Sequence, residues 1–342
     1  MKIKSILAAA LLATLLTGCY DSREIDAFAN VTAVGIEPGE GKTLFTFAVS
    51  DAGSFDSEGD NGSQSGIMCC SAEADNIENA INEINKTTSK LLSFSHMSIV
   101  FISDKTADAS EAVKYLDSMP DVRPQTLISV SQIPPSEYLK KVSPQLEVNM
   151  EKYFMSIFCR NESYIPVLNV GEFTDALYCK KTVLAPVISG SADGESISEE
   201  DVSVIGAAPV ANGKAVGFIE NTAPLGLALS TKNVKMTYGG KDYLLKSVKK
   251  PKIRIDTSTP TPSLTIDLQI EFIGIGFDDN TFISDEVKKS VSTLLAGGYD
   301  VFGFSDLASK NFLTAKSLKN CSVGEKIKNC RVKVNLEPLR RL

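Results

Sequence analysis

The sequence predicts an α+β protein of mixed sheets with flanking helices, multi-domain in extent and rich in antiparallel hairpins in its C-terminal half. Three observations predict that class. Alternating apolar segments and segments with helical apolar spacing interleave through the first half of the chain. In the second half, alternating segments flank Asn212-Gly213 and Gly239-Gly240, dipeptides that suit two-residue hairpin turns. The composition, 43% hydrophobic and 23% charged over 342 residues, is ordinary for a globular protein.

The first element precedes the fold. The chain opens MKIKSILAAALLATLLTGCYDS, with Lys2 and Lys4 ahead of an uncharged apolar run over residues 6–16. That is the charged start and apolar middle of a secretory signal, expected to span residues 1–18. A membrane-crossing helix needs about 20 apolar residues, and this run has roughly half that, so it can engage a translocon but is a poor permanent span. Leu16, Thr17, Gly18 and Cys19 form a lipobox. Small residues let an extended chain enter a peptidase, and the cysteine supplies the thiolate that takes a diacylglyceryl group. Cys19 is therefore the expected lipid attachment site. Acyl burial contributes about 0.8 kcal/mol per CH₂, and two or more chains hold stably where one does not.

The formal net charge of −7 argues against nucleic acid, whose phosphates demand clustered Lys and Arg, and against electrostatic adhesion to anionic lipid. Membrane contact is expected through the lipid. Besides Cys19 there are Cys69, Cys70, Cys159, Cys179, Cys321 and Cys330. An even number in an exported chain permits disulfides, and Cys321 and Cys330 flank a short segment that could close as a loop. Adjacent Cys69 and Cys70 are expected to be buried or separately paired, not joined to each other. Without a CxxC pair, the spacing of zinc or thioredoxin-like sites is absent.

Residues 30–36 and 43–49 read as a hairpin whose turn holds Pro38, Gly39 and Gly41, and residues 51–66 as a polar loop. In that loop Asp56, Glu58 and Asp60 hint at a calcium site, but glycine arrives one place late at Gly62 and the twelfth position is Ile67, so the ligand geometry fails. From Glu73, Ile77, Ala80, Ile81 and Ile84 recur at helical spacing. A strand is expected at 95–103, a helix at 106–118, a strand at 126–133, and helices at 136–142 and about 147–158. The Ser-, Gly- and acid-rich segment 189–201 marks a boundary between an N-terminal α+β domain (19–190) and a C-terminal α+β domain (198–342) that is divisible into two. Beyond it come the two hairpins, long alternating segments at 245–256 and 263–275, a helix at 285–295 and a final strand at 331–336.

No nucleophile elbow, zincin motif, phosphate loop or dinucleotide fingerprint is present, and no acid pair stands out for general acid–base work. His96, the single histidine, cannot form a multi-histidine metal site and is expected to serve a structural hydrogen bond. Phe302, Gly303 and Phe304 read as a packed turn. No cofactor is expected.

The residues after the lipobox, GCYDSREIDAFANVTAVGIE, resemble the opening of the C subunit of bacterial spore germinant receptors, the Ger(x)C lipoproteins. That family begins GCWD, continues Arg-Glu-Ile or Arg-Glu-Leu, and follows with a strand ending Gly-Ile-Asp. Cys19, Asp21, Arg23, Glu24, Ile25, Gly35 and Ile36 match, while Tyr20 and Glu37 depart. Further similarity follows in the family's order at FSHMSIVFIS (94–103), VIGAAPVANGKAVGFIENTAPLGLAL (204–229) and YDVFGFSD (299–306). The absence of Trp, Ser305 in place of a glycine, and Gly297-Gly298 ahead of the last motif mark a divergent member. The resemblance implies a lipid-anchored, non-catalytic subunit on the outer face of the cytoplasmic (spore inner) membrane. It also implies work with integral-membrane A and B subunits in nutrient-triggered spore germination, and no catalytic residue. The alternative is a solute-binding surface lipoprotein of a transporter, which would show two similar α/β lobes joined by a hinge.

Overall fold

The structure is a computed structural model that describes residues 27–50, 68–142, 150–158, 166–191, 196–198, 201–230, 233–238, 240–259, 261–273, 281–310 and 323–339. Its architecture is α+β, with two mixed sheets, each carrying helices.

Strand β1 (Phe28–Pro38) is buried continuously from Val31 to Glu37, as expected of a strand covered on both faces. It pairs antiparallel with β2 (Thr43–Ser50) through a turn closed by the Gly39 amide donating to the Lys42 carbonyl at 2.8 Å. The hairpin expected from the sequence is thus present, with both strands longer. Strand β3 (Met68–Ala74) pairs with the other edge of β2 and runs through Glu73, where helix was expected. Helix α1 (Ile77–Thr87) starts only after Asn76, whose side chain caps it by accepting from the Asn79 amide at 2.8 Å. Its stripe of Ile77, Ala80, Ile81 and Ile84 is buried as the spacing predicts.

Next come β4 (Leu91–Ser93), β5 (Ile99–Ser103), α2 (Ser110–Ser118), β6 (Leu127–Ser131), α3 (Pro135–Lys141) and α4 (Met150–Ile157). Strand β7 (Leu168–Asn169), α5 (Val170–Cys179) and β8 (Val183–Gly190) follow. Strands β1, β5, β6 and β8 pair in parallel, forming a four-strand centre that the sequence reading did not specify. Every residue of β5 and β6 is buried, the mark of parallel strands covered on both faces. Helices α1, α2 and α5 cover one face through Ile81, Val113, Leu116 and Phe173. Helices α3 and α4 cover the other, where Tyr138 and Phe154 meet Phe101 edge-on at ring distances of 5.2 and 5.5 Å.

Strands β9 (Val202–Ala211) and β10 (Lys214–Ala215) extend this same sheet beyond β8, giving the order β10-β9-β8-β6-β5-β1-β2-β3. The segment 189–201, expected to separate domains, therefore connects neighbouring strands of one sheet. Asn212 and Gly213 turn the chain with φ of 50° and 76°, the left-handed pair that a tight hairpin needs. The returning arm keeps only two residues in the ladder.

The second sheet is built from β11 (Asn233–Tyr238), β12 (Lys241–Ser247), β13 (Lys252–Asp256), β14 (Ser263–Ile273) and β15 (Arg331–Leu339). Around it stand α6 (Ala223–Leu229), α7 (Thr281–Ala296), α8 (Phe304–Lys310) and α9 (Val323–Ile327). Strands β12 and β13 both pair antiparallel with β14, and β15 runs parallel along it. The expected single strand at 245–256 is two strands, because the backbone turns at Lys249-Lys250-Pro251 and Pro251 has no amide hydrogen to donate. Leu264, Ile266, Leu268 and Ile270 alternate inward from β14 onto Val287, Val291, Leu294 and Leu295 of α7. Among the described residues no helix is long and apolar enough to cross a membrane.

Candidate functional site

The segments singled out by resemblance do structural work at two places. In the first, β1 meets α3. A Cβ on Gly35 would stand 2.7 Å from Cβ of Pro135, so only glycine lets the helix pack this close. Two residues on, buried Glu37 accepts from the Ser136 amide at 2.9 Å and from its hydroxyl at 2.5 Å, satisfying one amide at the start of α3.

In the second place, the two sheets meet. Helix α7 ends in a Schellman motif: the Gly298 amide donates to Leu295 O at 2.8 Å and the Tyr299 amide to Leu294 O at 3.2 Å, with φ of 78° at Gly298. Gly297 leaves room for the Tyr299 ring, which contacts its Cα side closely. The Tyr299 hydroxyl then donates to the Val216 carbonyl at 2.7 Å, just beyond β10.

Asp300 follows and is buried. Its carboxylate accepts from the amides of Gly303 at 3.0 Å, Phe304 at 2.7 Å and Ser305 at 2.7 Å, holding the turn into α8. Three charge-assisted bonds replace the water this carboxylate has lost. Gly303 has φ of 85° and Phe304 is fully buried, so residues 302–304 are the packed turn that was expected. Thr182, entering β8, exchanges hydrogen bonds with Asp300. Beside them Lys181 donates to Asp306 at 2.6 Å. That bond holds the lysine above its ordinary value and the Asp306 carboxyl below the usual carboxylate range. Leu184 of β8 belongs to the second core. A cleft of about 310 Å³ opens alongside, lined by Val167, Glu172, Lys181, Leu184, Leu229 and Val301.

This arrangement couples two sheets. Among the described residues no three His, Cys, Asp or Glu side chains cluster as metal ligands. His96 is exposed in the turn before β5, not in the strand; the local hydrogen bonds are made by Ser98, to Thr32 O, and by the Met97 amide, to Phe94 O. Cys69 and Cys70 point to opposite faces of β3 and both are free thiols. Cys69 donates to Leu139 O, and burial pushes its thiol up to about 11. Cys19, Cys159, Cys321 and the loop 51–66 lie outside the described residues, so lipidation at Cys19 and a Cys321–Cys330 bridge stay expectations; Cys330 itself is half-buried just before β15. Lys181 and Thr182 were not singled out from the sequence, and no local pattern marks them, whereas Val216 lies within the family-like segment 204–229.

Residues 21–190 match a family described as the spore germination protein N-terminal domain. A solved structure, described as that of the GerBC protein, is similar over 90% of this chain and 97% of that chain, at 12% identity and a TM-score of 0.53. A comparison with curated proteins finds no match.

Proposed function

The chain belongs to the Ger(x)C family of germinant-receptor C subunits, and from that premise we propose that it is the lipid-anchored, non-catalytic C subunit of a nutrient germinant receptor. The observation that carries the reading is the family match, which opens at residue 21, two positions after the lipobox cysteine at Cys19. Lipid on Cys19 holds the folded part to the outer face of the cytoplasmic membrane, the inner membrane of the spore. There it works with the integral-membrane A and B subunits. The junction at Thr182 and Asp300 supports this role, because a subunit that relays or stabilises a state of its partners must present its two sheets as one body.

Deleting the gene in a sporulating host that has no redundant receptor operon tests the proposal. Germination in response to at least one nutrient should be lost or slowed, and should return on complementation. A wholly normal germination profile would overturn it.

A further inference from the structure

Among the described residues, the helices of the second sheet share one core with the inward residues of β14. Strands β12 and β13 pair with successive stretches of one edge of β14 and meet there in the turn Ser247-Val248-Lys249-Lys250-Pro251, and from Lys246 to Arg254 the chain holds Lys246, Lys249, Lys250, Lys252 and Arg254 without an acid. All five are exposed. Arg254 pairs with Asp267 at 2.8 Å, whereas Lys249, Lys250 and Lys252 stand in no ion pair among the described residues. Exposed aliphatic side chains flank the lysines, Val248 at 40% and Ile253 at 37%.

The turn is also preorganised. The Val248 amide donates to Gln269 O at 2.9 Å, the Ser247 hydroxyl donates to Lys249 O at 2.9 Å, and Pro251 is buried. Holding the backbone of the turn in place beforehand lowers the ordering cost of binding.

We propose that this turn docks on the anionic phospholipid surface to which the chain is attached, fixing how the folded part stands over the membrane. The inference rests on the membrane-attached reading above. Charge complementarity selects the occupant: Asp267 and Glu337 line the same surface, but Asp267 is held by Arg254 and Asn335 and Glu337 by Gln269, which leaves three lysines without an ion-pair partner among the described residues, and the flanking aliphatic groups suit the headgroup boundary. The overall negative charge excludes adhesion by the whole surface but not by one turn, because charges beyond about 10 Å are screened at ordinary ionic strength.

The test mounts the mature chain on vesicles of phosphatidylcholine, alone or with phosphatidylglycerol, and measures lysine acetylation by a water-soluble reagent with mass spectrometry. An N-terminal polyhistidine tag on nickel-chelating lipid serves if Cys19 carries no lipid, so failure of the anchor and failure of the docking are separately visible. Acetylation of Lys249, Lys250 and Lys252 should slow at least threefold on the anionic vesicles and recover at high salt, with exposed Lys86 and Lys105 unchanged. Equal rates on both vesicle types would overturn the proposal. So would protection that appears only when the A and B subunits are added, which would make the turn a protein interface.

Discussion

Thr182 and Asp300 exchange two hydrogen bonds across 118 residues of sequence: the Asp300 amide donates to Thr182 Oγ1 at 3.2 Å, and the Thr182 amide to the Asp300 carbonyl at 3.3 Å. One residue enters β8 of the first sheet and the other leads from α7 into α8 on the second. The exchange links both cores at a point where Asp300 is already committed, through its carboxylate, to three amides of the following turn.

Asp300→Ala should therefore be among the costliest polar substitutions in the chain. It leaves buried amides without an acceptor, and charged hydrogen bonds of this kind contribute about 1.5–3 kcal/mol. Urea unfolding should show a loss of about 3 kcal/mol, with Asp300→Asn retaining part of it. A loss below about 0.5 kcal/mol would mean that the turn is held by packing of Phe304 alone.

Gly35→Ala and Gly41→Ala form a matched pair. A Cβ at position 35 meets Pro135, whereas one at position 41 meets nothing within 4 Å. The first substitution forces α3 away from β1 and should cost about 1–3 kcal/mol, the range for overpacking. The second should be neutral or slightly stabilising, by up to about 1 kcal/mol, because it narrows the unfolded ensemble. Thermal midpoints measured side by side decide it, and equal midpoints would refute the close approach.

The Lys181–Asp306 pair gives a pH signature. Asp306 has its carboxyl lowered by the bond from Lys181, so its stabilisation is present above the unfolded carboxylate value of about 3.9 and is lost as pH falls through the lower folded value. Lys181 is raised by the same bond, so its share is present below about 10.4 and is lost only as pH rises through the folded value. Both side chains are about a third exposed, and pairs of that kind contribute at most about 1 kcal/mol. Lys181→Met should be less stable than the parent by that small margin between roughly pH 5 and 9, with the gap closing in strong acid. A gap that persists undiminished at low pH would assign the effect to lost packing.

Much of this fold was legible in sequence wherever the signal is local. Ile77, Ala80, Ile81 and Ile84 declare α1, Asn212-Gly213 declares its turn, and the alternation from Leu264 to Ile270 declares β14. What escaped depends on distant chain. The parallel pairing of β1, β5, β6 and β8 is invisible in short, wholly apolar runs, which do not say what lies beside them. Strand β8 was missed because its run VLAPVISG contains Pro186, and α5 because its stripe is short. The same limit hid the site. Asp300 lay in a motif that was noticed, but its partner Thr182 carries no mark of its own, and the need for Gly35 arises only once α3 packs against it.

The proposed attachment through lipid on Cys19 is read out by membrane fractionation. The parent chain is compared with Cys19→Ala carrying a conventionally cleaved secretory signal in place of residues 1–18, both in cells that lack the A and B subunits. The parent should sediment with the membranes, and the variant should be released as a folded soluble protein, since no described helix can span a bilayer. A variant that still sediments with the membranes in those cells would mean that something other than lipid on Cys19 holds the chain there.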